Sequence, residues 1–160
     1  MSLAEIQRVA ARALDCLDLP PGLTLEALQG IVEDDRGKSI VIRQVQSLGN
    51  DQLSGLWLSL PDTELILHAE TSPIHRQQII LHEFSHMILG HDELMQDSKY
   101  VRSLLPDLDN AMVVKSLSRC DHLDDIEIAA ESLADMLAAR LSTFRRPARE
   151  EPLNFRNVFG

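Results

Sequence analysis

The sequence predicts an α+β fold in which a small sheet packs against helices, and three features of the 160-residue chain indicate it. Apolar residues recur at helical spacing near the N-terminus, three short segments in the middle have strand character, and helical periodicity returns in the second half. Strands that lie between runs of helices favour an α+β arrangement. Hydrophobic residues make up 44% of the chain but aromatic residues only 4%, so we expect a core of mainly aliphatic side chains.

Two helices are predicted at the N-terminus. Apolar side chains at helical spacing between Leu3 and Leu17 predict the first helix, which stops at the Pro-Pro-Gly sequence of residues 20–22. Thr24 is a suitable N-cap for a second helix that reaches about Val32.

Three segments with strand character follow, at residues 39–46, 53–60 and 63–70. Turn-forming residues separate them, including Pro61 and Asp62 between the second segment and the third. We therefore expect a small antiparallel three-stranded sheet.

A central helix is predicted after the sheet, with Ser72 as its N-cap and Pro73 as its first residue. It is expected to run to about Leu89, where Gly90 is placed to end it. The pattern over residues 107–119 is compatible with one further helix.

The C-terminal part of the chain predicts a long last helix. Asp121 or Asp124 caps it, acidic residues in the first turn suit its positive end, and it is expected to reach about Ser142. Residues 146–160 mix Pro and charge without periodicity. We therefore expect one domain over residues 1–145, followed by a C-terminal tail.

Charge and composition narrow the class of protein. The formal net charge of -10 argues against direct nucleic-acid binding, which requires clustered Lys and Arg, and leaves a basic protein partner open. No stretch predicts a signal peptide or a membrane span. The two cysteines, Cys16 and Cys120, are too few for a disulfide framework. These features favour a cytoplasmic protein.

The segment His82-Glu83-Phe84-Ser85-His86 on the predicted central helix has the His-Glu-x-x-His pattern of a zinc hydrolase site. Side chains four residues apart on a helix lie one turn apart on one face, so His82 and His86 can bind one Zn²⁺. Glu83 can then act as the catalytic base toward a water molecule. The short pattern also occurs by chance, so a third ligand is needed to support it.

The last helix supplies candidates for the third ligand. Residues 129–139 are almost entirely apolar except for Glu131, Ser132 and Asp135, which is typical of a buried helix. Glu131 is the favoured metal ligand, and Asp135 one turn later can hold the N–H of a ligand histidine. Glu127 is the alternative, although its position in the first turn is already explained by the helix dipole.

The other histidines are weaker candidates. His75 is too far from His82 along the helix to share its metal but can line a cleft. His91 follows Gly90 and lies beyond the helix, and His122 can approach the metal only from a loop. His68, on a predicted strand, is expected to be structural.

The two motifs resemble those of the ImmA/IrrE family of metallopeptidases. Residues 76–91 contain, in the order of that family, an Arg, the His-Glu-x-x-His segment and a further His. Residues 131–141 are similar to its later motif at Glu131, Ala134, Asp135 and Ala138. The chain departs from the family at Leu133, Leu137 and Ser85. A register four residues earlier, with Glu127 first and Glu131 in the Asp position, matches fewer letters.

The resemblance implies a zincin-like fold and a zinc-dependent endopeptidase with a gluzincin-like ligand set. Its substrate is expected to be a helix-turn-helix repressor, whose cleavage relieves repression in a stress response or in mobile-element control. An extended substrate segment can pair with an outer strand of the sheet, for which residues 53–60 or 63–70 are the candidates. Two alternatives stay open: a non-catalytic module of the same fold that sequesters a regulator, and a toxin-like hydrolase of a two-gene module.

Overall fold

The computed structural model describes residues 1–49, 53–97, 105, 115–117 and 124–149. Helices and strands follow one another in an order that confirms the predicted α+β class. The elements are α1 (Leu3–Cys16), α2 (Leu25–Arg36), β1 (Ser39–Val45), β2 (Gly55–Ser59), β3 (Thr63–Ala69), α3 (Pro73–Ile88), a short 3-10 helix (His91–Leu94), β4 (Met95–Asp97), β5 (Lys115–Leu117) and α4 (Asp124–Arg149).

Local side-chain chemistry sets the helix starts as predicted. The Thr24 hydroxyl accepts a hydrogen bond from the Ala27 N–H, and the Ser72 hydroxyl accepts one from the His75 N–H. Helix α2 continues one turn beyond the predicted end at Val32, because the left-handed residue that closes it is Gly37, with φ 69°.

The sheet is mixed, so the prediction of an antiparallel sheet is wrong for one of its pairings. Strands β2 and β3 form the expected antiparallel hairpin, but β1 pairs with the other side of β3 and runs parallel to it. A tight turn joins β2 to β3, so these two strands are antiparallel, whereas β3 lies between β1 and β2 and pairs with β1, which is not its neighbour in sequence. The strand order over the described residues is β1-β3-β2-β5-β4.

The second half of the chain differs from its prediction in two places. Residues 115–117 form strand β5 rather than part of a helix over residues 107–119; the remaining residues of that segment lie outside the described part. Helix α4 continues past Ser142 to Arg149, so the predicted tail is helical at residues 146–149, while residues 150–160 lie outside the described part. No helix among the described residues is long and apolar enough to cross a membrane.

Helix α3 lies between the sheet and α4, and this arrangement positions the site. Its fully buried Ile80 and Phe84 belong to the main core cluster together with Trp57 of β2 and Leu133 and Leu137 of α4. A smaller leucine cluster is built around alternate residues of β2 and β3. Because apolar contacts fix α3 against both neighbours, the polar side chains that α3 turns toward α4 are held in defined positions.

Candidate metal centre

Helix α3 brings His82 and His86 together one turn apart, as their spacing predicts. Their Nε2 atoms are 3.1 Å apart, and their rings lie edge to face with centroids separated by 4.7 Å. His86 is buried and His82 is half-buried. The Nε2 atoms of both imidazoles therefore point toward one position.

Glu127, in the first turn of α4, completes a group of three possible ligands. One of its carboxylate oxygens is 3.1 Å from His82 Nε2, and the other is 3.4 Å from His86 Nε2. Two ligand atoms bound at about 2.0–2.1 Å to a tetrahedral Zn²⁺ lie about 3.3 Å apart. The spacings between these donor atoms match that value, so the three residues fit a metal ion of this size.

Glu131, the favoured ligand from the sequence, takes a different place. Its carboxylate is 3.1 Å from Nδ1 of His82, on the side of the ring away from the shared point, and its side chain is 67% exposed. The reason is helical geometry: Glu131 lies one turn farther along α4 than Glu127, about 5.4 Å along the axis. The geometry therefore favours Glu127 as the ligand and reverses the predicted order of the two glutamates.

The two roles predicted for Glu131 and Asp135, a metal ligand and a residue that orients a ligand histidine, therefore fall to residues one turn closer to the start of α4. Glu127 is placed to bind the metal, and Glu131 is placed to hold the Nδ1 N–H of His82, which is the role the sequence suggested for Asp135. Asp135 is exposed and lines the cavity beside the site instead.

The remaining histidines have separate places. Nδ1 of His91 lies 2.8 Å from Nδ1 of His86, so His91 contacts the site from beyond α3. His75 lines the cavity, and its Nδ1 is 2.7 Å from the Thr71 hydroxyl. His68 is buried with Nδ1 2.9 Å from the Ala69 carbonyl oxygen. His122 lies outside the described residues.

Negative charge dominates the electrostatics of the cluster. Burial by itself lowers the pKa of His82, but the hydrogen bond with Glu127 and the charges of three nearby glutamates outweigh burial and raise it. Burial would raise the pKa of Glu127, yet its hydrogen bonds with His82 and His86 lower that pKa well below its usual value. Burial and the neighbouring His86 lower the pKa of His91 to about 4. The cluster thus holds an ionised carboxylate and attracts positive charge.

A cavity of about 330 Å³ opens beside these donor atoms. Glu83, Glu127, Glu131 and Asp135 line it, and the described lining residues include no Lys or Arg. Glu83 is 5% exposed, so the predicted base lies at the wall of a pocket that is large enough for part of a peptide.

The start of β2 forms another wall of the cavity, which the sequence did not indicate. Ser54 lines the pocket, and a Cβ added to Gly55 would overlap Cγ2 of Ile79 and lie 3.4 Å from Oε1 of Glu83. Glycine therefore allows the backbone of β2 to approach α3 closely beside Glu83. The only sequence signal was a glycine inside a strand pattern, which indicates close backbone approach.

Comparisons with models of protein families, with curated proteins and with solved structures give no match. The resemblance to the ImmA/IrrE family consequently stays a prediction from the two motifs.

Proposed function

We propose that this protein is a zinc-dependent endopeptidase with a zincin-like fold. The observation that supports the proposal best is the convergence of two imidazole Nε2 atoms and the Glu127 carboxylate beside Glu83 in a cavity. A helix carrying His-Glu-x-x-His provides the two imidazoles and the acid between them.

The donor set suits zinc. Two imidazoles and one carboxylate are typical of catalytic zinc sites, in which three protein ligands leave a fourth position open. When bound, zinc acts as a Lewis acid toward a peptide carbonyl and lowers the pKa of water.

The protein's own groups supply proton transfer and substrate binding. Glu83 takes the proton of the attacking water and later gives it to the leaving amine. Because Glu83 is almost fully buried, its carboxylate is held in one orientation for proton transfer and does not rotate freely in solvent. Glu131 orients His82 through Nδ1, so that Nε2 remains directed at the metal position.

Strand β2 is the best candidate for contacts with the main chain of a substrate. Strand β3 lies between β1 and β2, so residues 63–70 cannot be the outer strand. Among the described residues, β5 covers β2 only at Leu58 and Ser59. The first part of β2, which begins at Gly55 beside the cavity, therefore has main-chain groups to which an extended segment can be added.

A helix-turn-helix repressor is the substrate that we propose, on the strength of the motif resemblance. The acidic cavity is compatible with such a partner, since DNA-binding proteins carry basic segments. If a neighbouring gene encodes a small helix-turn-helix protein, that protein is the first substrate to test.

The decisive experiment compares the zinc-loaded protein with its Glu83→Gln variant. We expect the variant to retain zinc, measured by atomic absorption, and to lose about a hundred- to ten-thousandfold in the rate of repressor cleavage, because the base is removed while the ligands remain. Cleavage is followed by mass spectrometry of the fragments. Glu26→Gln, which removes an exposed glutamate on α2, should cleave like the unaltered protein.

Two results would contradict the proposal. Unchanged cleavage by Glu83→Gln would exclude the mechanism. Release of the repressor from DNA without cleavage, equally efficient in the variant, would favour a module that sequesters the regulator.

A further inference from the structure

The second nitrogen of His86 faces another imidazole. Nε2 of His86 points toward His82 and Glu127, while its Nδ1 lies 2.8 Å from Nδ1 of His91. A neutral imidazole has one N–H and one lone pair. When Nε2 of His86 offers its lone pair to a metal, Nδ1 of His86 carries the proton and donates a hydrogen bond to Nδ1 of His91.

The position of His91 depends on a turn outside α3. His91 is the first residue of the 3-10 helix and follows Gly90, whose φ of 74° is in the left-handed region. Backbone hydrogen bonds shape the turn, from the Gly90 N–H to the Met87 carbonyl and from the Glu93 N–H to the Gly90 carbonyl. They do not fix the orientation of the His91 ring.

Arg36 holds both ends of this turn. Its Nη1 is 3.2 Å from the Met87 carbonyl oxygen and 3.4 Å from Oδ1 of Asp92, and its Nη2 is 3.3 Å from Oδ2 of Asp92. The planar guanidinium thus joins the last turn of α3 to the residue that follows His91. A fork of this kind fixes orientation as well as distance.

Arg36 is itself anchored in the core. Its Nη2 is 3.3 Å from Oε1 of Glu64, which is fully buried, and its guanidinium lies 5.1 Å from the Trp57 ring centroid. The Arg36 side chain is only 12% exposed. The turn is consequently tied to a rigid part of the molecule on the other side of Arg36.

We propose that Arg36 and Asp92 are positioning residues that act through His91 to fix the orientation and tautomer of His86 at the metal centre. The inference deepens the proposed function and rests on the same metal site, but it concerns the protein's own hydrogen bonds. A purely structural tether would affect folding stability without changing the imidazole of His86.

Asp92→Ala is the variant that tests the inference. The Asp92 side chain is 39% exposed, so its loss is tolerable, whereas removing Arg36 would take away one of the two cations beside the buried Glu64 and endanger folding. We expect Asp92→Ala to weaken zinc binding about ten- to a hundredfold, measured by competition with a chelator, because the orienting partner of a ligand is disturbed. Glu93→Ala removes an exposed neighbour on the same 3-10 helix and should bind zinc like the unaltered protein.

A double variant separates the proposed route from an independent effect. If Asp92 acts through His91, His91→Ala with Asp92→Ala should weaken zinc binding no more than His91→Ala alone. Additive losses would overturn the inference.

NMR of the His86 ring nitrogens provides a readout that does not depend on zinc. In the metal-free protein, Asp92→Ala should change the ¹⁵N shifts and the tautomer of His86, and Glu93→Ala should not. A change of this kind in a protein that fails to bind zinc would support the positioning role and contradict only the proposed function. Unaltered His86 signals together with unaltered zinc affinity would overturn the inference and leave the proposed function intact.

Discussion

The Arg36–Glu64 cluster and the His82–His86–Glu127 cluster both gather titratable side chains, but they balance charge differently. Glu64 is fully buried and accepts hydrogen bonds from Trp57 Nε1 and Ser59, while Arg36 and Lys38 each lie 3.3 Å from its Oε1. Each charge in this cluster has an opposite charge beside it. Its charges are balanced without an additional ion, and among the described residues the buried Nε of Arg36 is the atom left without a hydrogen-bond partner.

The histidine cluster instead brings several hydrogen-bond acceptors close together. Two imidazole nitrogens meet at 3.1 Å, with the Glu127 carboxylate beside them and Glu131 behind the His82 ring. Its ion pairs are with histidines, which are charged only when protonated. A buried polar cluster with matched charges therefore stabilises the fold, whereas a cluster with an excess of acceptors is suited to bind a cation.

Loss of Glu127 should have the largest effect on the histidine cluster. We expect Glu127→Gln to weaken zinc binding by about a thousandfold or more, since one of three ligands loses its charge. The rise in melting temperature that zinc produces through binding to the folded state should disappear with it. Calorimetric scans with and without zinc test this; an undiminished rise would exclude Glu127 as a ligand and return Glu131 to first place.

Loss of Glu64 should lower the stability of the protein even when no zinc is bound. Glu64→Gln leaves Arg36 and Lys38 without their shared buried counter-charge, so the free energy of unfolding should fall by about 3–5 kcal/mol. Urea denaturation of the metal-free protein measures it. Glu70→Gln, at an exposed position after β3, is the matched control and should unfold like the unaltered protein. A loss that appeared only in zinc-loaded protein would remove the distinction between the two clusters.

Of the three glutamates, Glu131 should have the smallest effect when it is replaced. Its loss should also change how zinc affinity depends on pH. Glu131→Gln should weaken zinc binding about ten- to a hundredfold at neutral pH, because a partner that orients a ligand is weakened. A proton competes with the metal for His82, and the charge of Glu131 contributes to the raised pKa of that histidine. The fall in zinc affinity on acidification should therefore begin at a lower pH in the variant.

Chelator titrations at several pH values test the role of Glu131, with Asp135→Asn as a control on the same helix. Asp135 lines the cavity but stands one turn beyond Glu131, so its variant should resemble the unaltered protein. A larger effect from Asp135→Asn than from Glu131→Gln would restore the role that the sequence assigned to Asp135.

Local sequence patterns predicted the features that local geometry controls. Ser72 and Thr24 cap their helices as expected, and His82 and His86 meet because residues four apart on a helix always share a face. The direction of β1 could not be predicted, because nothing in a strand's own sequence states whether its neighbour runs parallel.

The limit of prediction from sequence is clearest for the third candidate ligand. Glu127 and Glu131 lie on one face of α4, and each has a carboxylate that can bind a metal ion. Which of them reaches His82 and His86 depends on how far α4 is displaced along α3, and that is set by packing between residues far apart in the chain.

The sequence alone was thus sufficient to predict the helix that presents His82, Glu83 and His86, and it limited the third candidate ligand to two glutamates one turn apart. Folding then places Glu127 between the two imidazoles, brings Glu131 to Nδ1 of His82, and connects the turn at His91 to the core through Asp92 and Arg36. The physical reason is that backbone hydrogen bonds fix spacing within a helix, whereas the distance between helices follows from the shapes of the side chains packed between them.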